Sequence, residues 1–218
     1  MAITEPKVIP VRSSKAPNLP VAPATYSSRY VDQLLNVLRL YFAQIDNFAQ
    51  ALTGNAGGAY LKYPYGAFSS YVTQTAVANT ATQVTFDQTD FANGVSLTGS
   101  NITVANAGVY NLQFSVQTSS LDNAPIDISI WLRQNGVDIP GSTGLIGMLA
   151  RKGPSDPSHD IKGWNYFLSM NANDNVQIWW STTSTNVTIK YYPISASPTR
   201  PSTASVVATM SFVSALPA

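Results

Sequence analysis

The chain has 218 residues, a formal net charge of +1 and only 11% charged residues, against roughly 25% in an ordinary globular chain. No strong field of either sign is present to draw nucleic acid or anionic lipid, and zero cysteines with a single histidine exclude disulfides, thiolate chemistry and histidine-cluster metal sites. Hydrophobic residues at 44% and aromatics at 11% still provide for one ordinary domain plus an appendage, with Ser, Thr and Asn replacing the missing charge.

No apolar run reaches the roughly 20 residues of a membrane span, and the N-terminal residues lack the apolar core of a secretory signal. Neither membrane insertion nor nucleic-acid binding is expected.

Residues 1–26 hold Pro6, Pro10, Pro17, Pro20 and Pro23, a density that fixes φ, removes amide donors and blocks helix and central strand. An extended arm is predicted. Lys7, Arg12 and Lys15 against Glu5 make it mildly basic. Such a segment is either a disordered tail or an arm that orders against a partner; Val8, Ile9, Val11, Leu19 and Val21 give it apolar anchors that a pure solubility tail would not need, which favours the arm.

Residues 27–53 change character abruptly. Val31, Leu34, Leu38, Tyr41, Ile45, Phe48 and Leu52 recur at alternating spacings of 3 and 4, an unbroken a/d heptad series. Leu35, Phe42 and Ala49 widen the stripe along the e positions. Ser27 or Ser28 can cap the N-terminus, Asp32 is expected in the first turn, and Gly54 follows the last. One helix is predicted, either packed on its own domain or associated with copies of itself in a short bundle. The Gly-rich joint 54–67, with Gly54, Gly57, Gly58 and Gly66, sets it apart from the rest and favours association. Tyr60, Tyr63 and Tyr65 in that joint are expected to pack against the next domain or a neighbouring chain.

Over residues 68–218 the period switches to two. Tyr110, Leu112, Phe114 and Val116 alternate with polar residues. The same holds for Ile126, Ile128, Ile130 and Leu132, for Val176, Ile178 and Trp180, for Val187, Ile189 and Tyr191, and for Val206, Ala208, Met210 and Phe212. Asn93-Gly94, Gly99, Ala107-Gly108, Asn135-Gly136, Pro140-Gly141, Gly153-Pro154 and the run 171–175 read as turns. About eight to ten short antiparallel strands fit, which predicts a mainly β fold, a jelly-roll sandwich behind the helix and arm.

The stretch Ala107-Gly108-Val109-Tyr110-Asn111-Leu112-Gln113-Phe114, with a last strand from Val206 to Phe212, resembles the trimeric jelly rolls of the tumour-necrosis-factor and complement globular-head type. That resemblance implies a homotrimer. Tyr30-Val31-Asp32-Gln33-Leu34, Leu38-Arg39-Leu40-Tyr41-Phe42 and Ile45-Asp46-Asn47-Phe48 resemble the N-terminal region of virion structural proteins of tailed bacteriophages, marine and cyanobacterial ones among them. It implies a modular attachment element, a location in the virion, and other tail or capsid proteins as partners.

Catalytic chemistry is poorly provided for. His159 lies in the charge-dense stretch 151–162, read as a solvated loop with internal ion pairs; Ser155, Ser158 and Asp160 are near in sequence but form no nucleophile turn. Glu5 is the one glutamate, and Asp87 and Asp90 sit in turn-like sequence. Asp122-Asn123, Asp138 and Asp174 offer calcium-type oxygens without the spacing of a dedicated loop. No enzyme, metal or cofactor is expected. In Val176–Ser181 the adjacent Trp179 and Trp180 must point to opposite faces, and Trp131 is out of phase with Ile130 and Leu132. Trp131, Trp179 and Tyr192 are therefore candidate surface contacts, for a subunit interface or for a host glycan or receptor. The resulting expectation is a non-enzymatic tail fibre or tail-associated appendage. A capsid decoration protein is the alternative, followed by a free lectin-like adhesin.

Overall fold

The computed structural model describes residues 15–53 and 63–216, with side chains for all of these but 51–53. The chain divides into two units, Met1–Lys62 and Tyr63–Ala218. Val8, Ile9, Val11, Gly54, Tyr60 and the side chain of Leu52 lie outside the described residues.

In the first unit, residues 15–27 carry no regular hydrogen-bonded structure, as the prolines require, and lead into helix α1 (Ser28–Thr53). Ser27 is the cap: its Oγ accepts from the Tyr30 amide at 3.4 Å and its carbonyl from the Val31 amide. Counted from that cap, Asp32 falls beyond the first turn, which carries no acidic residue. The expected support of the helix dipole by Asp32 is thus corrected, because the cap fixes where the turn begins.

The second unit is all β among its described residues. Its strands are β1 (Tyr65–Ser70), β2 (Gln74–Thr75), β3 (Thr82–Gln83), β4 (Gln88–Asn93), β5 (Val95–Thr98), β6 (Asn101–Val104), β7 (Gly108–Ser120) and β8 (Ile126–Gln134). Then follow β9 (Val137–Asp138), β10 (Gly144–Met148), β11 (Ser158–Met170), β12 (Asn175–Thr182), β13 (Val187–Ile189), β14 (Ser195–Ala196), β15 (Thr199–Arg200) and β16 (Val206–Ser214).

The antiparallel partners of the eight principal strands define the topology. The first, β1, pairs with the last, β16; β6 pairs with β12; β7 pairs with β11; β8 pairs with β10. This nesting of first with last and second with seventh, down to fourth with fifth, is a jelly roll. It generates two facing sheets: β11–β7–β16–β1 extended by β4, and β6–β12–β8–β10 extended by β5. β13 and β2 continue the first sheet past the end of β16, and β14 and β15 form a separate hairpin.

The period-two pattern fills the space between the sheets. Tyr110, Leu112, Phe114 and Val116 of β7, with Ala208 and Met210 of β16 and Phe68 of β1, face Ile128, Ile130 and Leu132 of β8 and Val176, Ile178 and Trp180 of β12. Turn chemistry agrees with the sequence: Asn135 and Gly136 both take positive φ (51° and 82°), as the tight β8–β9 hairpin requires. At Gly108 the reason is space, since a Cβ there would fall 2.9 Å from the Ser214 carbonyl and onto the Phe212 ring.

Two boundaries move. β1 begins at Tyr65, inside the predicted joint 54–67, because Tyr63 stacks on Phe212 and Tyr65 meets Phe91 edge-on, which ties both to the sandwich. The stretch around His159 is no solvated loop: from Ser158 onward it is β11, paired residue for residue with β7. Asp90 likewise lies in a strand, where it accepts from Ser69 Oγ at 3.0 Å.

Tyr110 is fully buried and its hydroxyl donates to the Asn106 carbonyl at 2.8 Å. Tyr110→Phe should therefore cost about 1 kcal/mol, through the lost hydrogen bond. Leu112→Ala, at the same strand's centre, should cost about 2–5 kcal/mol through a cavity. Urea unfolding with an unchanged slope tests this order, which reversed values would overturn.

Candidate functional site

Each unit leaves a distinct surface. On α1 the a/d residues Val31, Leu34, Leu38, Tyr41, Ile45 and Phe48 are only half-buried, and the flanking Leu35 and Phe42 are exposed. Asn18 and Pro20 of the arm line a shallow cleft with Gln33, Asn36, Val37 and Leu40, roughly a third of a turn around the helix from the heptad stripe. Among the described residues the arm therefore lies beside another side of the helix than the one Leu35 and Phe42 leave exposed. Leu19 and Val21 remain exposed.

On the sandwich, strand alternation sends Asp127, Ser129, Trp131 and Arg133 of β8 and Gln177, Trp179 and Ser181 of β12 to one outer face. Trp131 and Trp179 are directly opposed across the two strands, while Trp180 goes fully inward, as the sequence pattern required. Arg133 covers the Trp179 ring at 3.9 Å and pairs with Asp138, whose Oδ1 also accepts from Trp131 Nε1 at 2.7 Å. The Trp179 indole donates to Gln177 at 2.9 Å. Hydrogen bonds from Arg133 and then Trp131 hold the Asp138 carboxyl below its ordinary range. Trp179 is thus occupied by its own chain. Trp131, fixed through Asp138, stands at the end of a groove of about 430 Å³ lined by Asp127, Ser129, Ser181, Thr182 and Asn79.

Tyr192 is not brought to this face. It borders a different cavity, of about 260 Å³, with Gln117, His159, Arg200 and Thr203. Its hydroxyl lies 2.8 Å from His159 Nδ1, its ring meets the imidazole edge-on at 5.4 Å, and the Arg200 guanidinium lies over the ring, 5.4 Å from its centroid. The sequence reading missed His159, Arg200, Gln117 and Thr203 as a group. They come from segments far apart in the chain, and the only signal was an isolated arginine between Pro198 and Pro201.

The outer face of the β7 sheet differs again. At the end near Val109 and Asn111 it carries exposed Tyr65, Phe91, Phe167 and Val213. The acidic residues that suggested calcium have other work. Asp174 accepts from Asn135, Gln134 and the Asn171 amide, which hold its carboxyl below the ordinary range, and Asp122 accepts from Asn186. Among the described residues no group of three or more His, Cys, Asp or Glu side chains converges as a metal site.

No protein-family model and no curated protein matches the chain.

Burial, and then the positive charge of Lys152 only partly offset by Asp156, press the His159 pKa below its ordinary value. A histidine whose pKa is lowered in the folded state contributes stability that is present above its unfolded pKa and lost as pH falls through the folded one. Proton NMR titration of the lone histidine should give a midpoint below the ordinary value of about 6.5, and Lys152→Ala should raise it. A midpoint at or above that value contradicts the packing described.

Proposed function

We propose that this chain is a non-enzymatic structural subunit of a tailed-phage particle, a homotrimer whose N-terminal arm and helix attach it and whose jelly roll projects as a knob. The single observation that carries the reading is the exposed apolar surface at Leu35 and Phe42, beside the half-buried heptad residues of α1. An amphipathic helix of 26 residues with Leu35 and Phe42 exposed has apolar surface left to bury. Copies of the same helix satisfy it without any new partner, and large aromatic residues at d positions (Tyr41 and Phe48) suit a bundle of more than two helices.

The knob supports the same reading. Its jelly-roll order agrees with the fold that the resemblance implies. The exposed apolar residues Tyr65, Phe91, Phe167 and Val213, spread over one outer face, give a second surface for neighbouring copies. The opposite face, with Trp131 at its groove, stays available for contact with a host glycan or receptor. The tail-appendage form of the reading is preferred because arm, helix and knob follow one another in series along the chain.

Sedimentation of the full chain should give three times the 23.4 kDa of one chain, and Leu38→Asp should lower the mass while leaving the β-sheet circular dichroism unchanged. A monomer at micromolar concentration removes the trimer. Deletion of residues 1–53 should leave a folded knob that no longer enters particles; incorporation of the truncated chain removes the anchoring role. Labelling on intact particles at the tail tip or collar supports an appendage, whereas labelling over the head surface replaces it with capsid decoration.

A further inference from the structure

We infer that the cavity between His159, Tyr192 and Arg200 is an oxyanion-binding site that accepts the carboxylate or sulfate of an acidic sugar residue. The inference rests on this cavity alone and stands whether or not the chain belongs to a phage particle.

The backbone builds the site from β7, β11 and the stretch that runs from Tyr192 to Thr203. Gln117 comes from β7 and His159 from the paired strand β11; residues 117 and 159 lie on the same outer side of that ladder. Tyr192 is held by two backbone hydrogen bonds with Thr203, at 3.1 and 2.8 Å, which set both at the cavity wall. Arg200 ends β15, and its Nη1 donates to the Pro193 and Pro201 carbonyls at 3.1 and 3.2 Å. The hairpin therefore fixes the guanidinium before any ligand arrives.

The charge is unbalanced in one direction. Among the described residues the ion pairs are Arg133–Asp138 and Lys162–Asp160, so Arg200 has no carboxylate partner. One nitrogen is committed to backbone carbonyls and the rest of its planar fork is uncommitted, which is the geometry that takes an oxyanion. Lys152 adds positive potential at His159 and Asp156 opposes it.

The remaining groups supply donors. If Tyr192 donates to Nδ1, the imidazole keeps an N–H at Nε2; if Nδ1 carries the proton, the tyrosine hydroxyl keeps its own. In either tautomer one donor is left for an outside acceptor. The side chains of Gln117 and Thr203 line the same cavity and have no hydrogen-bond partner within the described residues. They can bond sugar hydroxyls flanking the anionic group, and the edge-on Tyr192 and His159 rings give an apolar wall for the sugar ring.

His159 is the only histidine in the chain, so its ring protons report on this cavity without assignment. The untagged full chain is titrated at fixed ionic strength with methyl glucuronide, sodium sulfate and, as the uncharged probe, methyl glucoside. The His159 signals should move saturably with an anion at concentrations up to about 10 mM and not with the glucoside. Arg200→Gln should weaken the response at least about tenfold, and Arg200→Lys should keep part of it. Response to glucuronide alone assigns a uronic-type carboxylate; response to sulfate alone assigns a sulfate ester. No movement with either anion, equal movement with the glucoside, or a response unchanged in a folded Arg200→Gln chain overturns the site. Should Arg200→Gln fail to fold, the wild-type comparison of anions with glucoside decides by itself.

Discussion

Everything in the sandwich depends on β7 being paired along both of its edges. On one side β11 follows it over its whole length, from Gly108↔Met170 to Ser120↔Ser158. On the other side β16 takes the first part and β13 the last. A strand bonded on both sides has no free amides to offer and cannot slip, because one residue of slip would turn Tyr110, Leu112, Phe114 and Val116 to the outside. The register of the first sheet follows from this strand. So does the position of the second sheet, since the same four side chains form its floor.

The same alternation decides what the outside can do. Each strand that sends a large apolar residue inward sends its neighbour outward, and this chain uses Ser, Thr, Asn and Gln there in place of charge. The two outer faces then diverge through a few residues. On the β8–β12 face, a cation, a carboxylate and two indoles satisfy one another, which leaves an ordered polar groove beside Trp131. On the β7 sheet, the exposed apolar residues near Asn111 and the Arg200 cavity sit at opposite ends. Asn111 and Gln117 are six residues apart on β7, about 20 Å at the rise of a strand. A neighbouring copy on the apolar end would leave the cavity open.

Much of this was legible in the sequence, and the division is physical. Periods of 3.6 and 2 are local properties, so α1 and the inward residues of β7, β8, β12 and β16 could be read directly, as could the outward turn of Trp131 and Trp179. Turns needing positive φ were legible at Asn135-Gly136 for the same reason. The segment of β11 around His159 was not. Its charges and the Pro-Ser-rich stretch before it resemble a loop, and only pairing with β7, about 40 residues away, makes it a strand. Tyr192, read as a companion of the tryptophans, belongs to another cavity because it follows β13, a strand of the sheet opposite β8 and β12. A site assembled from residues 117, 159, 192, 200 and 203 has no spacing to recognise.

The low charge of the chain gives the Arg200 cavity its meaning. In a surface crowded with charge, a lone guanidinium is surrounded by compensating carboxylates and its field is lost. Here charged residues are 11% of the chain and the described ion pairs are two, so Arg200 keeps its field over the Debye length of about 8 Å at physiological ionic strength. A single half-buried guanidinium with neutral donors would bind one anion weakly. Three copies held by one helix bundle would present three such cavities to the same polymer, and the second and third contacts would form at the effective concentration set by the assembly. In the proposed trimer, weak sites of this kind would gain strength from the helix that gathers them.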